Sequence, residues 1–341
     1  MKRFFIVIII SLSGIRSLVA QYDAQLSNQW AAINYYNPAY AGATDNLELT
    51  GLFRQQWLGI DGAPRTAFVV GQMPISLMGK THGIGAIGFT EKIGLFSHTI
   101  VSGQYAWKKN IGKGVLSVGI QGGYISESFK GSEIDFVPPE GDEYHEQEDP
   151  AIPGSDISGG AIDAAFGLMF SRPKWYVGLS VTHLTSPQLQ LDENTIMEVP
   201  RAYYFTAGYN IPLNNPLLEL RPALLVKTTS MSPYAEVDSI VAELAENSTA
   251  KAMMTMMQVD LSVRMIYNKT FWGGLGWRKG DAAMLSFGGK FKGIEAGYAY
   301  DFPISAILKG STGSHELFIK YIVDLSKKKN NRYRHKSVRI L

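Results

Sequence analysis

The feature that most constrains this chain is a two-residue hydrophobic rhythm that restarts fourteen times. Thr99, Val101, Gly103, Tyr105 and Trp107 alternate with His98, Ser102, Gln104 and Lys108. Leu116, Val118, Ile120, Gly122 and Tyr124 alternate with Ser117, Gly119, Gln121 and Gly123, and Val259, Leu261, Val263, Met265 and Tyr267 with Asp260, Ser262 and Arg264. A period of two puts successive side chains on opposite faces of a strand. Such segments start near 46, 65, 83, 97, 115, 160, 175, 201, 218, 254, 270, 283, 293 and 315, and most run 9 to 15 residues. Strands of soluble sandwiches are mostly shorter, roughly 5 to 6 residues, whereas crossing a bilayer at a tilt takes about 9 to 11.

The connections carry the same message. Short ones lie around Ser76–Thr81, Asn110–Gly114, Arg172–Lys174, Pro212–Pro216, Asn268–Lys269 and Lys290–Lys292. Longer ones lie at 129–157, 183–200, 229–252 and 302–314, with short exceptions at Ile93–Phe96 and Gly280–Ala282. Short turns at one end and long loops at the other are the layout of an outer-membrane barrel. Aromatics near strand ends (Trp57, Trp107, Tyr124, Trp175, Tyr203, Tyr267, Trp272, Trp277 and Tyr321) suit its interfacial girdles. No later stretch reaches the roughly 20 apolar residues of a membrane helix. The expectation is an all-β chain: a transmembrane antiparallel up-and-down β-barrel of about 14 strands over residues 45–325, in the outer membrane and in contact with its lipid. A closed sheet partners every backbone amide in hydrocarbon. The alternative reading of the same pattern is a soluble secreted β protein.

The ends of the chain are different in kind. Lys2 and Arg3 precede the apolar run Phe4–Ile10, and small residues lead up to Ala20, so residues 1–20 read as a signal peptide. Residues 21–44 are an N-terminal segment expected either in the periplasm or inside the lumen. Residues 326–341 form a basic tail with seven Lys/Arg and no acids. A net charge of +2 argues against a nucleic-acid binder, and the absence of cysteine removes disulfides and thiolate chemistry.

Motifs for chemistry are weak. "MGKTHGIGAIGFT" (Met78–Thr90) contains Gly-Lys-Thr and Gly83-x-Gly85-x-x-Gly88. A P-loop needs glycine where Pro74 stands, and a dinucleotide fold needs a following helix and an acid about 20 positions on, where Lys108, Lys109 and Asn110 stand. The glycines are read as strand bends or as room for neighbours in a crowded lumen. Six histidines (82, 98, 145, 183, 315 and 335) lack ligand spacing, and Ser314-His315-Glu316 alternates faces, so it cannot form one relay. The segment 133–156 holds nine acids and no Lys or Arg but no calcium-loop spacing, and Val237, Ile240, Val241 and Leu244 suggest a short amphipathic helix in a long loop. No catalytic residue, metal site or cofactor is expected, and the chain reads as non-enzymatic.

Asn37-Pro-Ala-Tyr-Ala-Gly42 followed by "LTGLFRQQWLGIDGAPRT" (Leu49–Thr66) resembles the N-terminal signature of the PorP/SprF family, outer-membrane barrels of the type IX secretion system of Bacteroidota. "EKIGLFS" (Glu91–Ser97), "VPRAYYFTAGY" (Val199–Tyr209), "LRPALLVK" (Leu220–Lys227), "FWGGLGWRKGDA" (Phe271–Ala282) and "GSHELFIKY" (Gly313–Tyr321) extend the resemblance over about residues 21–325. The acidic loop 131–156 and the basic tail look private to this chain. The resemblance implies a barrel that supports export and surface anchoring of adhesin-like cargo carrying a type IX C-terminal signal. It also implies periplasmic lipoprotein or peptidoglycan-linked partners, and a link to gliding motility in relatives. The positions it marks for partner binding are Asn37, Pro38, Tyr40, Gly42, Trp57, Gly59, Asp61, Gly62 and Pro64; Pro38, Gly42, Gly59, Gly62 and Pro64 equally suit a role in shaping the chain into its first turns. Polar lumen positions such as Gln104, Lys108, Gln121, Asp260 and Arg264 also suit a passive channel for small solutes.

Overall fold

The computed structural model describes residues 23–134, 154–193, 195–229 and 257–325. Its strands are β1 (Asn46–Gln55), β2 (Arg65–Leu77), β3 (Lys80–Ile93), β4 (Phe96–Ile111), β5 (Gly114–Lys130), β6 (Asp156–Arg172), β7 (Trp175–Thr182), β8 (Gln188–Gln190), β9 (Ile196–Glu198), β10 (Ala202–Tyr209), β11 (Ile211–Pro212), β12 (Leu218–Thr229), β13 (Gln258–Tyr267), β14 (Phe271–Arg278), β15 (Ala282–Phe291), β16 (Ile294–Pro303) and β17 (Ser314–Asp324). All but β8, β9 and β11 form one antiparallel ring of fourteen in chain order. The ring skips from β7 to β10 and on to β12, and closes where Asn46–Gln55 of β1 pairs with Asp324–His315 of β17. Closure leaves no edge strand to present bare amides to lipid.

The rhythm read from the sequence sets the two faces. Val69, Val101, Ile162, Leu275 and Leu317 point outward, 57–77% exposed. Thr50, Gln72, Ser102, Gln104 and Asp260 point inward and are buried. A slip of one residue in any ladder would exchange these sets, so the pattern also fixes the register. Trp272 departs from expectation. It belongs to the inward set of β14 and lies 6% exposed in the lumen, stacked on Phe318, so it is not part of a girdle.

The turns and loops refine the reading. Strands run deeper into the short turns than periodicity implied. Met78–Gly79, Asn268–Lys269 and Lys292–Gly293 each have two successive positive φ values, the tight geometry that matches strand twist. β6 starts at Asp156 rather than near 160, because Asp156 pairs with Lys130 across the ladder at 2.5 Å. β13 starts at Gln258; its expected start near 254 lies outside the described residues. The loop 183–201 contains the β8–β9 hairpin, whose strands of three residues are too short to show a period. Leu189 and Val199 are fully buried in the core with Leu26 and Ala202. The expected signal peptide and basic tail, most of the acidic loop, and the helix around 237–244 lie outside the described residues.

Residues 23–44 thread the lumen. They form 3-10 turns at Gln29–Ala32 and Pro38–Tyr40 around a single helical turn, Ile33–Tyr36. The barrel's hydrophobic core is therefore made with its own N-terminus: Tyr35 stacks on Phe89 at 5.5 Å and meets Phe68 edge-on at 5.4 Å, and Leu26, Tyr35 and Tyr36 are 2–7% exposed. Each such apolar side chain contributes about 1.5–3 kcal/mol of burial. The lumen glycines fit this segment closely. A Cβ on Gly83 would overlap the carbonyl oxygen of Ala41, and one on Gly119 would overlap the backbone at Pro38–Ala39. The puzzling "GIGAIG" stretch is thus partly a docking track for the segment inside the barrel.

This makes a prediction. Gly83→Ala should loosen the lumenal segment, whereas Gly88→Ala, with open space around its added carbon, should not. The chain has no cysteine, so Ala31→Cys supplies a single reporter at a site 4% exposed. Overpacking costs about 1–3 kcal/mol. Maleimide labelling at residue 31 should therefore accelerate on the order of 10-fold or more with Gly83→Ala and stay unchanged with Gly88→Ala.

Candidate functional site

Two buried ionic clusters hold the lumenal segment at the long-loop end. In the first, Arg54 of β1 donates to Asp301 Oδ2 at 2.8 Å and to Ser27 Oγ at 2.6 Å, with Glu316 Oε2 3.4 Å away. Glu316 accepts the backbone N–H groups of Ser27 and Asn28, both at 2.7 Å, and the Asn28 side chain at 2.8 Å. Ser27 Oγ donates to Asp301 Oδ1 at 2.6 Å. Arg278, fully buried, donates to the Leu26 carbonyl at 3.1 Å and to Asp260 at 3.2 Å. Charges this deep persist only when paired, because an isolated one would shed its charge or admit water.

The second cluster centres on Asp23. Its carboxylate accepts from Tyr204 and from His183 Nε2 at 2.9 Å, with Lys227 Nζ 3.7 Å away. Lys227 also donates to the Asp23 carbonyl at 3.1 Å, and His183 Nδ1 meets Asp163 at 2.7 Å. Burial opposes the charge on His183, but the carboxylates of Asp23 and Asp163 outweigh it and push its pKa up to about 9. Burial likewise opposes ionisation of Asp23, yet Lys227 and His183 hold it well below the usual carboxylate range.

The sign of the pH effect follows. A histidine whose folded pKa lies above its ordinary 6.5 contributes fully below pH 6.5, and that contribution fades as pH rises through about 9. The hold on residue 23 should weaken over that window. A nitroxide label at Gln25→Cys should gain mobility from pH 7 to pH 9.5, about half a unit past the folded-state pKa, and His183→Gln should remove most of that dependence.

Further down the lumen the contacts become aromatic and amide in character. The Arg264 guanidinium lies 3.3 Å from the centre of the Trp30 ring, with Trp272 at 5.1 Å and Phe318 at 5.3 Å edge-on to it. Gln104 donates to the Asn34 carbonyl at 2.6 Å and Ser180 to that of Tyr36 at 2.7 Å. Two of the polar lumen positions expected from the sequence, Gln104 and Arg264, thus contact this segment directly, and Asp260 does so through Arg278. Lys108 instead bonds Ser117 within the wall.

The nine positions marked for partner binding fall into two groups separated by the length of β1, about 33 Å at the usual rise over its ten residues. Asn37 is fully buried and donates to the carbonyls of Leu168 and Leu179 at 3.1 and 3.3 Å. Pro38 packs against Gly167 and Gly119, and Tyr40 is half-buried beside them. Gly42, at φ +60, donates to Gln72 Oε1 at 3.1 Å. The second group lies in the β1–β2 loop at the opposite mouth. Gly59 and Asp61 are exposed, Gly62 accepts from the Gly94 N–H at 2.7 Å, and Pro64 is buried and accepts from Gln56. Trp57 sits at φ +48, rare for a bulky residue, with its N–H donated to Ser314 Oγ at 3.1 Å. That loop is tied to the β16–β17 loop by Leu58 N–H to Gly313 O at 2.7 Å and Thr312 N–H to Leu58 O at 2.9 Å.

The sequence alone does not single out the clusters around Arg54 and Asp23. The available signal was a charged residue of inward parity near the outer end of a strand, as with Arg54, Asp301 and Glu316. Ser314, His315 and Glu316 do separate by face: Ser314 and Glu316 point inward, while His315 Nδ1 meets Tyr298 on the outside at 2.6 Å.

The sequence matches the family described as type IX secretion system membrane protein PorP/SprF over residues 18–321. No curated protein matches it. Among solved structures, the CymD monoaromatic hydrocarbon channel aligns at 10% identity and TM-score 0.46, over 89% of this chain and 94% of its own. The Pseudomonas putida toluene transporter TodX aligns at 9% and 0.43, over 88% and 93%. BamA from Haemophilus ducreyi, lacking POTRA domains 1–3, aligns at 8% and 0.41, over 82% and 70%. The closed ring of fourteen strands, its outward apolar face and the match over nearly all of the barrel agree: the chain is a multi-pass outer-membrane β-barrel and belongs to the PorP/SprF family of type IX secretion system membrane proteins.

Proposed function

We propose that this barrel is a plugged docking component of type IX secretion, supporting export and surface anchoring of adhesin-like cargo that carries a type IX C-terminal signal. Residues 1–20 direct it out of the cytoplasm, and periplasmic lipoprotein or peptidoglycan-linked components meet its other side. It performs no bond chemistry, and as in relatives its cargo connects it to gliding motility.

One observation carries this reading: residues 23–44 run down the lumen and are bolted there by Arg54, Glu316, Asp301, Arg278, His183 and Lys227. Two cavities beside the segment each hold about 10 Å³, room for roughly one water. An interior so filled favours binding at the rims over passage of solutes. In this reading Trp57, Gly59 and Asp61 contact cargo at the mouth, with Gly62 and Pro64 shaping their loop. Asn37, Pro38, Tyr40 and Gly42 act through the lumenal segment.

A photo-crosslinker at Leu58, exposed in the same loop, tests this in native membranes. The expected product is a conjugate with a secreted cargo C-terminal domain. Recovery of no cargo and no secretion component, together with steady conductance by the intact barrel, would favour a passive solute channel instead.

A further inference from the structure

We infer that the short-turn rim of the barrel is a binding surface for the headgroups of anionic phospholipid. Six short connections close this end: 78–79, 112–113, 173–174, 210–217, 268–270 and 292–293. Five of them, or the strand residue beside them, present an exposed basic side chain: Lys80, Lys113, Lys174, Lys269 and Lys292. None of the six, nor the residue on either side, is Asp or Glu. The opposite end is mixed in sign, its described loops carrying Asp61, Glu133, Asp192, Glu193 and Asp281 alongside Arg201, Lys279 and Lys309. Outer-membrane barrels place their short turns on the periplasmic side, where the inner leaflet is phospholipid.

The placement of the cations selects lipid over a protein partner. They are spread around the ring, turn after turn, whereas an acidic protein surface would meet one arc of it. Lys292, and with it Arg172 at the same rim, is held at the outer perimeter. The Arg172 guanidinium lies 5.9 Å from the Phe170 ring and 5.8 Å from Trp175, and Lys292 Nζ lies 5.1 Å from Phe291. These three rings share the outward face with Leu168, Val177 and Phe287, each 38–56% exposed. An aromatic ring at the interface with a cation over it sets positive charge at phosphate depth. Anionic headgroups add attraction there that salt weakens. This inference rests on the outer-membrane location alone and stands apart from the docking role.

The test uses the full-length barrel in a non-ionic detergent, with thermal unfolding followed after adding phosphatidylglycerol or phosphatidylcholine. Phosphatidylglycerol should raise Tm by several degrees more than phosphatidylcholine at low salt, and the difference should shrink at high salt. The variant Lys113→Gln/Arg172→Gln/Lys174→Gln/Lys269→Gln/Lys292→Gln should lose most of that difference while keeping its Tm in phosphatidylcholine. An equal response to the two lipids overturns the inference, as does a variant that keeps the full difference. So does an acidic periplasmic protein that co-purifies through these residues while the lipid response is unchanged. Should the variant fail to fold, the wild-type response to lipid and salt decides by itself.

Discussion

Deleting residues 23–41 is expected to turn a closed barrel into a conducting one. In planar bilayers the intact protein should give no steady current, and the deletion should give stable single-channel steps. The wall does not need the segment for closure, because fourteen strands pair around the ring without it. A sheet of that number encloses more than its own side chains fill; about eight strands is the size at which the wall alone suffices. Removal strips Trp30, Tyr35 and Tyr36 from the interior and exposes Arg54, Arg278, Asp260 and Glu316, which water then solvates. A polar, hydrated lumen is what remains. Equal conductance with and without the segment would mean that ions pass by a route it does not block.

Arg54→Met should be the most damaging single substitution in the lumen. Arg54 is 1% exposed, and its loss leaves the carboxylates of Asp301 and Glu316 facing each other's field in a dry site. Breaking such a pair by removing one partner typically costs about 3–5 kcal/mol. The lower end applies here, because Arg278 still reaches Asp301 at 3.4 Å and Glu316 keeps two backbone donors. The loss should appear first as release of residues 27–30 rather than as collapse of the wall. A cost of about 3 kcal/mol corresponds to labelling of the Ala31→Cys reporter on the order of 100-fold faster. Adding Glu316→Gln should recover part of it by removing one of the stranded charges. Unchanged labelling in Arg54→Met would show that the apolar contacts of Trp30 and Tyr35 hold the segment without help.

Much of this architecture is legible in the amino-acid sequence. The fourteen segments, their inward and outward faces, and the alternation of short turns with long loops are all local properties of the chain. Period-two patterning is written in the fourteen strands of the ring, and Gly or Asn at turn positions permits the positive φ of tight hairpins such as Met78–Gly79 and Asn268–Lys269. The β8–β9 hairpin was not legible, because strands of three residues carry no measurable period. Trp272 reads from sequence as an interfacial ring for a related reason. Position near a strand end suggests a girdle, but parity places it inside, and only the partners Trp30 and Phe318 make that placement favourable.

The candidate site was less legible still. Asn37–Gly42 and Trp57–Pro64 stood out as words, yet β1 holds them at opposite ends of the barrel. Sequence alone determined that the chain closes into a lipid-facing cylinder, since hydrocarbon leaves an alternating strand no other way to partner its amides. Tertiary structure alone decided what fills that cylinder. The bonds from Arg54 to Asp301 and Glu316 join positions 247 and 262 residues apart, and that from the Ser27 N–H to Glu316 spans 289. A buried charge fixes no partner by its own position along the chain; the partner is chosen by whichever inward group the ring brings within reach.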